Sequence, residues 1–239
     1  MEFDGWTRPG TDGWHVPPAG DARLAPRGLP TRSGSRPPAG RPELVDGVAR
    51  WEGVCVQGTP PEVAELGSLA FFDCDVDGLS LAGLRLSLRL VDCNLASLDL
   101  ANTHFDSLEV ASCTLTGSRL VGARLAGALR DVVVSDCQLD LASLRMSTLI
   151  RSELRACSLR ETDLFSATLD SVLLTGCDLT GADVSRATCT RSAIEGCELD
   201  GLRGIEALSG VRIPLADLLP IVPLLADALG IIPAGAGES

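Results

Sequence analysis

The sequence contains no Tyr and no Lys, and aromatic residues make up only 3% of its 239 residues. A conventional globular core leans on aromatic bulk, so Leu and small side chains must fill this interior instead. That favours a narrow, regular core of many similar layers. His is nearly absent: His15 and His104 are the two copies, which leaves little room for His-dependent catalysis or zinc ligation. No stretch approaches the length of a membrane span, and the first 30 residues carry no apolar leader core. The nine Cys are odd in number, and a reducing cytoplasm in which they serve as small buried hydrophobes is the expectation. There is no GxSxG, phosphate-binding loop, dinucleotide fingerprint or HExxH, so no enzyme, cofactor or metal is expected. Every basic residue is Arg, and the formal charge is −12. Such a chain disfavours direct contact with nucleic acid or an anionic membrane and suits a basic partner, or simply solubility.

What is present divides into segments. Residues 1–42 are rich in Pro and Gly, with Pro17-Pro18 and Pro37-Pro38 among Gly, Ser and Arg. This composition predicts a disordered tail, in which Trp6 and Trp14 are exceptions. Residues 43–63 form a transition or cap, with Val45, Val48, Trp51, Val54 and Val56 spaced among polar neighbours before Pro60-Pro61.

From residue 64 to about 204 the chain repeats with a period of five, as in CNLAS, LDLAN, CTLTG, CSLRE and CDLTG. Apolar centres run in steps of five from Leu66 to Leu86, from Leu90 to Leu125, and from Leu129 to Leu199. All 28 are apolar and 20 are Leu. Two residues before each centre stands Ala, Cys, Ser, Thr, Val, Gly or Leu, never a charge. The charges all fall on the other three positions.

A period of five fits neither the 3.6 of an α-helix nor the 2.0 of a strand. It fits a chain that turns a corner every five residues, with two side chains inward and three outward. Four units close a square coil of about 20 residues, and coils stack roughly 4.8 Å apart. The expected fold is an all-β solenoid, a quadrilateral β-helix of about seven coils and roughly 33 Å. The cysteines agree: Cys137, Cys157, Cys177 and Cys197 recur every 20 residues, and Cys74, Cys93 and Cys113 form a second column. The frame loses one residue between Leu86 and Leu90 and another between Leu125 and Leu129, where a local distortion or tightened corner is expected.

An open last coil would expose apolar ends and unpaired strand edges, so a cap is needed. Residues 205–232 supply helical stripes through Leu215, Leu218, Leu219, Ile221, Leu224, Leu225 and Leu229. Pro214 suits a helix start, Pro220 and Pro223 divide the segment into two short helices or a kink, and Gly230 suits a stop. The stripes are apolar on more than one side, which allows the cap to cover the coil and pair with a second copy. Residues 233–239 read as a short tail.

The repeat resembles the pentapeptide-repeat family, whose usual unit is A-(D/N)-L-x-x, over about residues 64–204. The C-terminal stretch resembles the capping tail of actinobacterial members. The resemblance implies a right-handed quadrilateral β-helix. Some members dimerise through a C-terminal helical module, and some bind DNA gyrase as mimics of duplex DNA and protect it from topoisomerase poisons. The acidic candidates for such a surface are Asp163, Asp170, Asp178, Asp183, Glu195 and Glu198, interrupted by Arg145, Arg151, Arg155 and Arg160. The competing reading is a structural or scaffold protein with another protein partner. Two other features read as structural. Asp73, Asp75, Asp77 and Gly78 open like a calcium loop, but its twelfth position is Leu84. Phe165 follows a centre and should face outward.

Overall fold

A computed structural model describes residues 36–60, 63 and 65–232. The expectations for most of the 1–42 tail and for 233–239 lie outside these residues. Two parallel ladders run the length of the rod. One sheet holds β1 (Glu43–Val45), β2 (Val48–Glu52), β4 (Ser68–Phe72), β6 (Arg85–Val91), β8 (His104–Ala111), β10 (Gly127–Arg130), β12 (Thr148–Ile150), β14 (Thr168–Asp170) and β16 (Thr188–Thr190). The other holds β3 (Cys55–Gln57), β5 (Asp75–Asp77), β7 (Asn94–Ala96), β9 (Thr114–Thr116), β11 (Val133–Ser135), β13 (Glu153–Arg155), β15 (Leu173–Thr175) and β17 (Ala193–Glu195). These are faces 1 and 2. Single parallel bridges build face 3, through Gln138, Ser158, Asp178 and Glu198, and face 4, through Ser143, Asp163, Asp183 and Arg203. The molecule is thus a β-solenoid of about seven turns.

The five-residue unit explains itself atom by atom. Centres stack in register, as in Leu149, Leu169 and Cys189. Beside them the small inward residues return hydrogen bonds to the backbone: Thr162 Oγ1 donates to Leu139 O (2.9 Å) and Thr103 Oγ1 to Leu81 O (2.8 Å). The residue two after a centre turns the corner in the left-handed region, as Asp73, Met146, Glu161 and Arg191 all do. Its N–H then bonds the coil above, as Glu161 N does to Thr180 O (2.9 Å). An Asp just before a centre accepts the N–H of the residue just after it, as in Asp178 Oδ1 with Thr180 N (2.9 Å) and Asp183 Oδ1 with Ser185 N (2.9 Å). This local acceptor is the physical reason for Asp at that position.

The two frame losses fall on one corner, between faces 4 and 1. There Leu88, Ser107 and Gly127 have no left-handed φ, unlike the other corners. The chain runs through as longer strands, β6 and β8, with a register shift opposite Leu86/Ser87. Of the two expected outcomes the structure shows the local distortion: the corner is straightened, not tightened. It is filled from inside by Leu69, Leu88 and Leu108, where the later coils carry Ser147, Ala167 and Ala187.

At the N-terminal end, β2 and β3 lie in the segment read as transitional, yet they pair in parallel with β4 and β5. Trp51 stacks on Phe71 with ring centroids 4.8 Å apart. β1 folds back antiparallel over β2. At the other end a 3-10 turn (Ile205–Leu208) leads to α1 (Leu215–Leu218), a 3-10 segment (Leu219–Ile221) and α2 (Val222–Ala228). The two prolines divide the cap as expected, each near the start of a helical segment. Gly230, at φ 68°, ends α2: its N–H bonds Asp227 O (3.0 Å) and Ile231 N–H bonds Ala226 O (2.8 Å).

Candidate functional site

Both Cys columns point into the core. Cys74, Cys93, Cys113, Cys137, Cys157 and Cys177 are buried, and each thiol reaches a backbone carbonyl, such as Cys157 Sγ to Arg155 O (3.2 Å). All nine cysteines are free thiols. Asp73 and Asp75, the start of the calcium-like loop, both pair with Arg36. Among the described residues no cluster of His, Cys, Asp and Glu has the makings of a metal site.

The structure separates the six acidic candidates by face. Asp178 and Glu198 stack in one column of face 3, and Asp163 and Asp183 stack on face 4. Asp170 lies on face 1 and Glu195 on face 2. Four of the six are also neutralised by an Arg one coil away: Asp163 by Arg145 (2.9 Å), Asp170 by Arg191 (2.6 Å), Asp178 by Arg160 (3.2 Å) and Asp183 by Arg203 (3.5 Å). Arg151 pairs with Asp131 on the adjoining coil, and Arg155 pairs with Glu153 two residues away on its own strand.

The Asp178 carboxyl is held below the usual range first by its bond from Thr180, and also by Arg160. Asp183 is lowered first by Ser185 and then by Arg203. Glu195 goes the other way. Burial pushes its carboxyl up, with Asp217 and Glu153 adding to the rise and Arg212 opposing it.

Three acids not singled out in the sequence complete face 3. Asp140 and Asp200 follow centres Leu139 and Leu199, and Glu161 turns the neighbouring corner. Glu161, Glu198 and Asp200 are exposed, and Asp140 is half-buried under the Arg160 N–H (3.1 Å). Among the described residues of face 3 from Gln138 onward, Arg160 is the one basic side chain against five carboxylates. Numbering the outward residues modulo the 20-residue coil would have gathered these acids from the sequence alone.

Face 4 has a different character. Phe165 lies between Arg145 and Arg186, 4.3 and 5.5 Å from its ring, and Met146 stands exposed at the next corner. The cap is likewise two-sided. Ile221 is buried and Leu218, Leu224 and Leu225 pack on the core, while Leu215, Leu219, Val222, Leu229, Ile231 and Ile232 are exposed.

A smooth rod whose side chains present charge in columns belongs to the solenoid class of repeat proteins. Residues 162–201 match the pentapeptide-repeat family model as 8 copies. Among solved structures it is similar to HetL, a pentapeptide repeat protein involved in heterocyst differentiation regulation from the cyanobacterium Nostoc sp. Strain PCC 7120. That likeness is at 19% identity over 70% of this chain and 84% of that one, with a TM-score of 0.34. It is also similar to QnrB1, a plasmid-mediated fluoroquinolone resistance protein, at 15% identity over 77% and 100%, with a TM-score of 0.35. A third likeness is to Rfr23 from the cyanobacterium Cyanothece 51142, at 15% identity over 52% and 86%, with a TM-score of 0.18. No curated protein matches the chain. Among the described residues no helix is long and apolar enough to cross a membrane.

Proposed function

We propose that the protein is a non-catalytic binding rod that presents face 3 to a protein partner with a basic surface, in a reducing cytoplasm. The observation that carries this reading is the gathering of Asp140, Glu161, Glu198 and Asp200 on one face, beside Asp178. Asp178 and Glu198 are register partners, one coil or roughly 4.8 Å apart. Side chains held at such spacing on a rigid sheet offer a preorganised anionic surface to cationic side chains. The family resemblance makes DNA gyrase, or another type II topoisomerase, the first partner to test, with face 3 standing in for duplex DNA.

The exposed cap residues Leu215, Leu219, Val222, Leu229 and Ile231 suit a second copy. Two rods joined there would lengthen the anionic surface. The test is a supercoiling assay with gyrase, titrating in the protein with and without a fluoroquinolone. Inhibition or drug protection at micromolar protein supports this reading; no effect at tens of micromolar overturns gyrase as the partner.

A scaffold role toward a different partner is favoured by one observation: the ion pairs of Asp163, Asp170 and Asp183 leave faces 4 and 1 near neutral in the later coils. Partner capture that survives loss of the face 3 carboxylates would support that second reading.

A further inference from the structure

The two corners that bound face 4 hold side chains that neither folding nor solubility calls for. Leu141 and Met146 turn these corners in the left-handed region, at φ 60° and 56°. That backbone conformation is costly for a bulky side chain. The other left-handed residues are Gly, Asp, Asn, Ser, Glu, Arg and one Ala. In the Leu141 column stand Asn102, Gly122, Glu161, Gly181 and Gly201, and above Met146 stand Ser166 and Arg186. Both side chains are also open to water, Leu141 at 59% and Met146 at 74%. Between Val48 and Gly204 they are the two exposed large apolar side chains among the described residues. Strained backbone that adds exposed apolar surface stabilises nothing in the free rod, which points to something these side chains meet.

The face between the two corners is built of residue types that protein interfaces favour: Arg, Met and an aromatic. Half-buried Phe165 lies one coil above Arg145, whose guanidinium is 4.3 Å from its ring and 2.9 Å from Asp163 Oδ2. Asp163 Oδ1 in turn accepts the Phe165 N–H (3.0 Å). Arg145 is thus fixed before any partner arrives, which lowers the entropy lost on binding. Arg186 approaches the same ring from the coil above, at 5.5 Å. Arg124 stands one coil below, in register with Ser143. Arg124 and Arg186 are both exposed, and neither forms an ion pair among the described residues.

We propose that face 4 is a second docking surface, for an acidic segment of a partner protein that carries an aliphatic or aromatic side chain. Leu141, Met146 and Phe165 receive the apolar side chain, and Arg124 and Arg186 receive its carboxylates. Asp163 and Asp183 within the patch, and acidic face 3 beside it, disfavour a continuous polyphosphate and so a nucleic acid. The surface is separate from face 3, which presents the opposite charge. The rod can therefore hold a basic and an acidic partner side by side, and the identity of the face 3 partner does not bear on this one.

An array of random peptides of about fifteen residues, probed with the full-length protein, tests the proposal, with bound sequences remeasured in solution by fluorescence polarisation. Bound peptides are expected to combine Asp or Glu with Leu, Phe or Trp. Leu141→Asn with Met146→Asn should weaken them at least tenfold, or about 1.4 kcal/mol, without lowering the Tm, since Asn accepts the left-handed corner more readily than Leu or Met does. Misfolding then cannot explain the loss. Arg124→Glu with Arg186→Glu should weaken them by a similar factor, and Thr168→Ala with Thr188→Ala on face 1 should not. A bound set with no acidic and apolar bias, a preference for a single-stranded oligonucleotide over the peptides, or binding unchanged in both face 4 variants overturns the proposal.

Discussion

Gly127→Ala tests the account of how the wide early coils meet the narrow later ones. Gly127 opens β10 and pairs with Leu108 in β8. A Cβ at that position would stand 2.2 Å from Leu108 O and 2.7 Å from Leu108 Cβ. The oxygen is backbone, so relief requires the two coils to part by something near 1 Å, at the junction where Leu108 gives way to Ser147 and Ala167. Overpacking of this kind costs about 1–3 kcal/mol. Because the clash is with backbone, the upper half of that range applies, and the loss of unfolded-state freedom on Gly→Ala returns only about 0.4–1 kcal/mol. The net loss is about 2 kcal/mol, a Tm fall of about 4–8 °C for a domain of this size. The matched control is Gly176→Ala, a corner with φ 60° and nothing within 4 Å of the added Cβ. Its left-handed strain of about 1–2 kcal/mol exceeds the same entropic gain, leaving a net loss of about 1 kcal/mol, smaller than that of Gly127→Ala. Thermal unfolding by circular dichroism and calorimetry reads both variants. Equal Tm values for Gly127→Ala and wild type, or a larger fall for Gly176→Ala, would refute the packing argument.

Two further outcomes follow from single side chains. Cys189 occupies a centre where Leu149 and Leu169 stand below it, beside a cavity of about 20 Å³ lined also by Leu208 and Val211; Cys189→Leu should add about 1 kcal/mol, seen as a higher Tm, and a lower one would mean the space is already filled. The raised carboxyl of Glu195 makes the folded state hold its proton more tightly than the unfolded chain does. Stability is therefore lost as pH rises from the unfolded value through the folded one. Glu195→Gln should raise the Tm at pH 7, with the gain vanishing below about pH 4, where the group is protonated in both states; a gain that persists in acid would contradict the assignment.

The period of five made the solenoid legible because the corners obey one local rule, a left-handed residue two after each centre, except at the straightened corner between faces 4 and 1. The same rule explains what was hidden. Trp51 and Val56 already keep the frame of Leu66, but position 61, where the next centre would fall, is Pro, so the frame was followed only from Leu66. The cap was readable from Pro220 and Pro223, since a ring at those positions cannot sit inside one continuous helix. The charged surface was less readable. Asp163 and Arg145, or Asp178 and Arg160, lie 18 residues apart and meet only because stacking brings successive coils together. A list of acids in sequence order mixes the four faces, and it missed Asp140, Glu161 and Asp200 for that reason.

The most direct test of the central claim compares two variants of equal charge change in their affinity for gyrase, measured by titration calorimetry. Glu198→Gln with Asp200→Asn removes two negative charges from face 3, whereas Thr168→Arg with Thr188→Arg adds two positive charges to face 1. The account expects the first pair to weaken binding at least tenfold and the second to leave it within about twofold, a separation of about 1 kcal/mol or more. Equal weakening by both pairs would mean that net charge alone drives association, and no weakening by the face 3 pair would contradict the account.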